Sequence, residues 1–454
     1  MEKRYELDMC SGSVFKKMLV FALPLMCSSV LQLLFNAADI VVVGRFAGDN
    51  SLAAVGSNTS LINLLTNVFI GLSIGANVLA ARHYGADEVK ELSKTVHTSM
   101  LLSVFSGFLL TVVGLLFAKQ LLVLMKTPPE VLELAAVYLR IYFAGMPAMM
   151  IYNFGSALLR AVGDTKRPLY YLLFSGVINV ILNLIFVIAL KMDVAGVALA
   201  TVISQCISAF LVVRCLMNEQ GGMQLIFSEL KFDVKKFLAI IRIGLPAGFQ
   251  GVVFSFSNVV IQSSINLFGE TVVAGNSAAS NIEGFIYVAM NAFHQATISF
   301  TSQNIGAGKI ERVNKIMLTG VACVFVTGAA LGGIVLLFGR QLLGIYSESA
   351  AVIDAGMVRL SVVLTTYFLC GMMDVMVGSI RGMGYSVMPM IVSLIGACGL
   401  RLVWIATIFQ IEQFHVIDTI YYSYPVTWTI TFIAHLICFA IVRKKLESKI
   451  MLNS

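Results

Sequence analysis

Three acidic side chains lie inside long apolar stretches of this 454-residue sequence, at Asp39, Glu283 and Asp374. A charged side chain in the hydrocarbon of a bilayer costs about 2.5 to 3.5 kcal/mol even on lenient insertion scales. A carboxylate at such depth therefore binds a cation or a proton, or it pairs with another group of the protein. For Asp39, which precedes Gly44, the alternative interpretation is that the side chain lies at the outer end of its helix and binds no ion. For Glu283 and Asp374, the alternative is a structural hydrogen bond or an ion pair with Arg401.

The composition places these acids in a membrane protein. The chain is 58% hydrophobic and only 12% charged, and its mean hydropathy is +0.90. Soluble domains carry about 25% charged residues, so this chain cannot cover a water-exposed surface of the usual kind. The eight cysteines form no C-x-x-C pair and are predicted to fill apolar space. These features exclude a soluble enzyme, a secreted disulfide scaffold and a disordered adaptor.

Twelve apolar stretches are long enough to cross a bilayer, which requires about 20 residues in a helix. They are 17–43, 52–81, 94–118, 131–158, 168–190, 194–217, 237–268, 274–300, 313–338, 351–379, 386–409 and 418–442. The longest polar interval lies near the middle of the chain. We therefore expect an all-α membrane protein with an amino-terminal six-helix lobe (1–217), a cytoplasmic linker (218–236) and a carboxy-terminal six-helix lobe (237–454).

The basic residues indicate how the helices are oriented. With the amino terminus inside, 23 of the 31 lysines and arginines fall in the inner segments and five in the outer ones. An excess of Lys and Arg marks the cytoplasmic side, so both termini are predicted to lie in the cytoplasm and the protein in the inner, cytoplasmic membrane. The net charge of +7 is therefore a topology signal and does not indicate nucleic-acid binding.

The two halves of the chain share sequence features at a nearly constant offset. Leu23-Pro24 recurs as Leu245-Pro246, and an Arg-x-x-Gly turn at Arg160 recurs at Arg381. Six spans per half is an even number, so the halves are parallel repeats, as found in secondary transporters. Pro24 is expected to allow a kink in the first helix. The two arginines either anchor cytoplasmic helix ends or take part in gating.

The sequence resembles the multidrug and toxic compound extrusion (MATE) family along nearly its whole length. The most specific matches are Ser-Gln-Asn-Ile-Gly-Ala-Gly at 302–308, the paired turns at Arg160 and Arg381, and the Gly-rich run 71–85. The resemblance implies two pseudo-symmetric six-helix lobes in a V-shaped arrangement. It also implies antiport, in which Na⁺ or H⁺ enters as organic cations, drugs or other amphiphiles leave by alternating access. Distant relatives of this family flip lipid-linked sugars.

The same resemblance implies a cation site in the amino-terminal lobe. Its positions correspond to Asp39 on the first helix and to Asn153, Asn179, Asn183 and Thr201 on later helices. The family usually carries a second Asp where this chain has Asn183. Asn179 and Asn183 share a helix face by their spacing, so two oxygen ligands for Na⁺ remain, with Asp39 supplying the charge.

The resemblance further implies a coupling role for acids of the carboxy-terminal lobe, here Glu283 and Asp374. Asp374 falls at the repeat position of Asn153. Arg401 requires a counter-ion if it lies at depth, and a structural pairing is the favoured interpretation. His294 is either a proton relay or a packed polar residue that contributes to the substrate cleft.

Further residues are candidates for the substrate cleft. Gln250, Asn258 and Gln262 follow one another at helical spacing and either line the cleft or hold helices together. Met290 belongs to a methionine-rich set that suits varied apolar ligands but is also common membrane filler.

The expected partners are a small-molecule substrate and membrane lipid, with no nucleic acid and no cofactor besides the coupling ion. The sequence contains no Walker A motif, so ATP is not expected to drive the protein, and no enzymatic activity is expected. We expect a functional monomer. Two alternatives remain open: an exporter or flippase of an endogenous or lipid-linked metabolite on the same fold, and a non-transporting receptor or scaffold.

Overall fold

The computed structural model describes residues 5–451, apart from the side chains of residues 49 and 449–451. Within this part of the chain every regular element is helical. The α-helices are α1 (Val14–Phe46), α2 (Asp49–Gly85), α3 (Val89–Leu124), α4 (Pro129–Ala144), α5 (Met146–Ala161), α6 (Lys166–Asn183), α7 (Asp193–Met217), α8 (Val234–Ile265), α9 (Glu270–Gly306), α10 (Glu311–Leu337), α11 (Gly339–Gly344), α12 (Ala350–Leu364), α13 (Tyr367–Gly382), α14 (Val387–Ser393), α15 (Leu400–Ala406) and α16 (Ile417–Met451). Two π-helical turns follow α6 and α14, at Leu184–Ala189 and Leu394–Gly399. Short 3₁₀ turns occur at Gly221–Met223, Phe227–Glu229, Asn266–Phe268, Ile408–Gln410 and Glu412–Phe414. The predicted all-α fold is confirmed.

Eleven membrane spans can be assigned among the described residues from length and apolarity. Nine are continuous or nearly continuous helices, and two are bent pairs, α4 with α5 at 48° and α12 with α13 at 46°. The remaining predicted stretch, 274–300, lies within α9. That helix has 37 residues but carries many Asn, Gln, Ser and Thr side chains, and it is less apolar than the others. The chain is therefore a multi-pass membrane protein in which one long helix is markedly polar.

The chain forms two compact units. Unit 1 contains the residues up to Asp8 and Cys27–Gly248, and unit 2 contains Met9–Met26 and the residues from Phe249 onward. Helices α1 and α8 each contribute residues to both units. In each helix the last residue before the change of unit lies two positions after an internal proline, Pro24 in α1 and Pro246 in α8. A helix-internal proline removes a backbone hydrogen bond. The lobe boundaries at 217 and 237 stay a prediction.

A glycine run lets two helices of unit 1 approach each other closely. A Cβ atom at Gly71 would lie 2.2 Å from the backbone nitrogen of Gly248, and one at Gly75 would lie 2.3 Å from the carbonyl oxygen of Ile240. Small residues permit such backbone contact between helices in membranes. The spacing of Gly71 and Gly75 therefore serves the packing of α2 on α8.

The repeated Arg-x-x-Gly sequence forms the same turn in both units. Gly163 donates its N–H to the carbonyl of Arg160 at 3.0 Å, and Gly384 donates to that of Arg381 at 2.7 Å. Both glycines have positive φ, +91° and +92°, which favours glycine. The duplication seen in the sequence thus has a structural counterpart at the ends of α5 and α13.

In unit 1 this turn continues into a buried cap. One carboxylate oxygen of Asp164 accepts the backbone N–H groups of Lys166 and Arg167, each at 3.1 Å, and the other accepts the Arg167 guanidinium. Arg167 also pairs with Glu219 at 2.5 Å. Burial raises the pKa of Asp164, while these donors oppose the shift. The cap therefore fixes the start of α6, the helix that carries Asn179 and Asn183.

The 302–308 motif holds the amino-terminal segment within unit 2. Asn304 donates to the carbonyl of Met9 at 3.0 Å and accepts from Arg312 Nε at 3.1 Å. Lys309 Nζ donates to the carbonyl of Cys10 at 2.9 Å. The motif thus satisfies backbone carbonyl groups of the segment that precedes α1.

Candidate cation and substrate sites

A chain of four hydrogen-bonded polar side chains links three helices of unit 1. Asn183 Nδ2 donates to Asp39 Oδ1 and, at 3.3 Å, to Asn179 Oδ1. Asn179 Nδ2 donates to Thr201 Oγ1 at 3.4 Å, and that hydroxyl donates to the carbonyl of Val197 at 3.0 Å. Asp39 lies on α1, the asparagines on α6 and Thr201 on α7. The structure thus brings together four of the five residues expected at the amino-lobe cation site.

A close helix contact positions this network. A Cβ atom at Gly176 on α6 would lie 1.9 Å from Phe35 Cε2 on α1, so a larger residue does not fit there. Asp39 follows Phe35 by about one helical turn, and Asn183 follows Gly176 by about two. The contact therefore fixes the position of Asp39 relative to Asn183 along the axes of the two helices. A π-helical turn begins directly after Asn183, and such turns are frequent at functional sites.

The chemistry of the network suits a hard cation or a proton. Asn183 is fully buried, and its Oδ1 atom has no hydrogen-bond donor among residues 5–451. A buried acceptor without a donor costs about 1–3 kcal/mol. Carboxylate, amide and hydroxyl oxygens are the ligands that hard cations prefer. Asp39 supplies a negative charge, and Asn183 Oδ1 supplies a coordination position that the protein itself does not use.

Asn153 lies outside this network. Its Nδ2 atom donates to the carbonyl of Met149 on its own helix at 2.9 Å. Two tyrosines of α4 that were not predicted from the sequence as site residues lie close to each other in unit 1. Tyr138 and Tyr142 stack with ring centroids 5.9 Å apart. Tyrosines in an apolar helix carry no sequence signal that distinguishes them from packing residues.

The acid Glu283 of unit 2 forms a two-pronged ion pair with Arg359. Arg359 Nε and Nη2 each donate to a different Glu283 oxygen at 2.7 Å. Both side chains are less than one-tenth exposed. The pair joins α9 to α12, so the carboxylate of Glu283 already has a full positive charge as its partner. Arg359 was not among the site residues predicted from the sequence, although its charge inside an apolar stretch was the available signal.

An amide network extends from this ion pair. Arg359 Nη1 donates to Asn276 Oδ1 at 2.7 Å, and the Tyr421 hydroxyl donates to the same oxygen at 3.3 Å. Asn276 Nδ2 donates to Gln262 Oε1 at 3.0 Å. Gln262, expected either in the cleft or between helices, therefore connects α8 to α9 within unit 2.

Asp374 has its own set of partners. Its backbone carbonyl contacts His294 Nδ1 at 2.6 Å, and its side chain is only partly buried. Nδ1 must carry the proton in order to donate to a carbonyl. His294 thus binds the backbone of Asp374 and not its carboxylate. Glu283 and Asp374 have different partners in the described part of the chain.

Arg401 does not pair with Glu283 or Asp374 in the structure. Its guanidinium lies 4.0 Å from the ring centroid of Tyr424 and 5.9 Å from that of Trp428. Nη2 donates to the hydroxyl of Thr427 at 3.2 Å. The side chain is buried, and its Nε atom has no acceptor among the described residues.

The other predicted residues have separate positions. Gln250 accepts a hydrogen bond from Arg381 Nη2 at 2.8 Å. Met290 is buried and faces glycines of α10 and α13. Asn258 is exposed, and Arg160 lies in the last turn of α5. Of these residues, the structure connects only Gln250 and Arg381 to each other.

The fold and the two polar networks define a helical multi-pass membrane protein with an internal duplication. The MatE family model matches this chain twice, over residues 24–185 and 246–407. These matches cover more than half of the chain and correspond to the two repeats. The chain belongs to the MatE family.

Relatives and solved structures agree with this assignment. The chain is 29% identical to the probable multidrug resistance protein YoeA of Bacillus subtilis, covering 86% of each chain. It is 24% identical to the probable multidrug resistance protein NorM of Thermotoga maritima, covering 85% of this chain and 84% of the relative. The outward-facing structure of a multidrug resistance MATE family transporter matches with a TM-score of 0.90 at 22% identity, over 97% of this chain and 98% of the other. The last comparison supports the fold.

Proposed function

We propose that this protein is a secondary active transporter that exports amphiphilic small molecules in exchange for Na⁺ or H⁺. The observation that carries the proposal is the Asp39 network of unit 1, in which a carboxylate lies beside a buried amide oxygen without a donor. The names of the relatives, which describe multidrug resistance proteins, support export of organic cations, drugs or similar amphiphiles. Membership of the MatE family supports transport over a receptor or scaffold role.

In the proposed mechanism, Asp39 holds the coupling ion. In the structure, Asn183 donates to this carboxylate. When the ion is bound, Asp39 and the free Oδ1 of Asn183 coordinate it, with Asn179 and Thr201 nearby. A ligand shifts a conformational equilibrium only through its different affinity for the two states. The ion is therefore proposed to favour one side of the alternating-access cycle, and the substrate to favour the other.

Glu283 is not proposed as the coupling acid. Its carboxylate is held by Arg359 through two hydrogen bonds of 2.7 Å, so an arriving cation would have to displace a guanidinium. The Asp39 carboxylate accepts only a neutral amide donor among the contacts described above. Unit 1 is therefore the better candidate for cation coupling.

Efflux from proteoliposomes tests the proposal. The purified chain would be reconstituted with a fluorescent organic cation such as ethidium, and a Na⁺ gradient and a proton gradient would be imposed separately. Asp39→Asn keeps the shape of the side chain but removes its charge, and we expect it to abolish gradient-driven efflux. Asp354→Asn is the matched control, because Asp354 is exposed and pairs with Arg340 outside both polar networks. Full gradient-driven efflux by Asp39→Asn would overturn the assignment of Asp39.

We also propose that the protein functions as a monomer in the cytoplasmic membrane, with both termini inside and without ATP. The distribution of basic residues supports this orientation. A fluorescent protein fused to the carboxy terminus folds and fluoresces in the cytoplasm, whereas an alkaline phosphatase fusion is active outside it. Bright fluorescence without phosphatase activity is the expected result, and the reverse would contradict the orientation.

A further inference from the structure

The buried charges of the spans in unit 2 do not balance. The buried guanidinium groups belong to Arg359, Arg381 and Arg401, and the buried carboxylate among the described residues of this unit belongs to Glu283, whereas Asp374 is only partly buried. Arg359 pairs with Glu283, and Arg381 donates to the side-chain oxygen of Gln250. Arg401 forms no ion pair with a carboxylate among the described residues, and it donates to the hydroxyl of Thr427. A buried charge is unfavourable unless it is paired and hydrogen-bonded.

The contacts of Arg401 use only part of the hydrogen-bonding capacity of its guanidinium. The group lies over the Tyr424 ring at 4.0 Å, and Nη2 donates to Thr427. Stacking on an aromatic face uses the face of the guanidinium and leaves the donors at its edge available. The Nε donor has no acceptor among the described residues. Carboxylates and phosphates are the groups whose geometry matches such a fork of donors.

Aromatic rings pack beside the guanidinium, and each of them is less than one-tenth exposed. Trp428 lies 5.4 Å from Tyr424 and 5.6 Å from Tyr367, measured between ring centroids. Together with Arg401 these rings combine one positive charge with apolar side chains. Pockets for small amphiphiles are usually built from aromatic side chains and a few well-placed polar groups.

The backbone is irregular on the elements that carry this cluster. A π-helical turn at Leu394–Gly399 directly precedes α15, where Arg401 is the second residue. The helix pair α12–α13 bends by 46° just before Tyr367. Irregular backbone at membrane depth is tolerated where it is enclosed by protein or lines a cavity, and broken helices often form transporter binding sites.

We propose that Arg401, lying on Tyr424 beside Trp428, binds the anionic group, a carboxylate or phosphate, of an amphiphilic substrate. The inference rests on the proposed export function and adds a substrate class to it: anionic or zwitterionic amphiphiles, in addition to organic cations. The apolar body of the substrate lies against Tyr424, Trp428 and Tyr367. Export of this class uses the positive interior of unit 2, while the coupling ion uses the negative site at Asp39.

Trp428 provides an intrinsic reporter of this site. The chain contains two tryptophans, and the other, Trp404, donates to the carbonyl of Thr419 at 2.9 Å. Trp404→Phe therefore leaves Trp428 as the sole tryptophan. The variant would be placed in phosphatidylcholine nanodiscs and titrated with bromoundecanoate or with bromoundecyl-trimethylammonium. Bromine quenches tryptophan fluorescence on contact, and the two probes carry a similar bromoalkyl chain with head groups of opposite charge.

After correction for partitioning into the lipid, we expect the carboxylate probe to quench Trp428 at a concentration about tenfold lower than the ammonium probe. A tenfold difference corresponds to about 1.4 kcal/mol of binding free energy. In the same background, Arg401→Gln is expected to remove this difference, and Arg401→Lys, which keeps the charge but not the fork, to retain part of it. The control Arg340→Gln removes an exposed arginine of the same unit and should behave like the parent. Because Arg401 has no carboxylate partner, Arg401→Gln is expected to keep the melting temperature of the parent.

Three results would overturn the proposal. Equal quenching by both probes, with a large fall in melting temperature for Arg401→Gln, would make Arg401 a structural residue. Stronger quenching by the ammonium probe, while Asp39-dependent efflux continues, would refute the anionic substrate and leave the export function standing. Arg401-dependent quenching by brominated phosphatidylglycerol but not by free bromoundecanoate would assign the site to a lipid head group.

Discussion

The ion pair between Glu283 and Arg359 allows a quantitative test of how unit 2 is held together. We consider Glu283→Met, Arg359→Met and the double variant, since methionine has a similar length and no charge. Each single change leaves one buried charge without its partner, and breaking a buried pair in this way costs about 3–5 kcal/mol. Both side chains are less than one-tenth exposed, so solvent screening does not reduce this value greatly.

The double variant removes both charges together. Replacing a buried ion pair with apolar residues of similar volume is often neutral or stabilising. The expected remaining loss is the hydrogen bond from Arg359 to Asn276, about 1 kcal/mol. We therefore expect the double variant to lie within about 2 kcal/mol of the parent. The two single effects should thus be non-additive by about 4 kcal/mol or more.

Equilibrium unfolding in mixed micelles of detergent and dodecyl sulfate measures these free energies, and proteoliposome efflux measures function. If the pair is structural, the double variant retains gradient-driven efflux while both single variants unfold more easily. Strictly additive losses would refute the ion-pair argument. A Glu283→Met variant that is as stable as the parent but has lost cation-driven efflux would show instead that Glu283 is a coupling acid.

Further substitutions test other parts of the structure. Asn183→Asp adds a second carboxylate beside Asp39, so the Na⁺ concentration needed for a given rise in melting temperature should be about tenfold lower than for the parent. A Na⁺-dependent melting curve identical to that of the parent would contradict the cation site. Asp164→Ala removes the cap of α6 and should lower the free energy of unfolding by about 1–2 kcal/mol, whereas Asp164→Asn, which retains an acceptor oxygen, should lose less; equal losses would refute the capping role. Asn304→Ala removes a bond to the carbonyl of the residue before Cys10 and should raise the rate of maleimide labelling at Cys10, in a background without the other cysteines, by about tenfold. An unchanged labelling rate would show that Asn304 does not hold the amino-terminal segment.

The resemblance to the MATE family predicted the residues of the unit 1 site, and local spacing explains part of that prediction. Asn179 and Asn183 are four residues apart on one helix, which places them on the same face whatever the tertiary structure. Asp39 could be singled out because few acids occur in apolar stretches. Their pairing across α1 and α6 depends on the contact of Gly176 with Phe35, which no local pattern in the sequence reveals.

The partners of the unit 2 charges could not be deduced from spacing. Arg359 is separated from Glu283 by 76 positions in the sequence, and several arginines could have occupied its place. Arg401 was expected to need a carboxylate, but the structure gives it aromatic rings instead. Aromatic residues are common in every membrane helix, so their role in holding a cation becomes visible only in three dimensions.

The polarity of α9 was partly visible in the sequence. The stretch 274–300 is long enough to span a membrane, yet its Asn, Gln, Ser and Thr side chains reduce its hydropathy. Many of these side chains are buried within unit 2. A helix enclosed by other helices does not need an apolar surface all round. A criterion that combines length with apolarity therefore identifies fewer spans than one that uses length alone.

Reciprocal flux tests the central claim, that cation movement at Asp39 is coupled to substrate export, most directly. Proteoliposomes would be loaded with substrate in the absence of any ion gradient, and uptake of radioactive Na⁺ and acidification of the lumen would be followed as the substrate leaves. Exchange requires that an outward substrate gradient drive Na⁺ or H⁺ inward in the parent and in Asp354→Asn, but not in Asp39→Asn. Substrate efflux with no accompanying ion movement, or ion movement that persists in Asp39→Asn, would contradict the account.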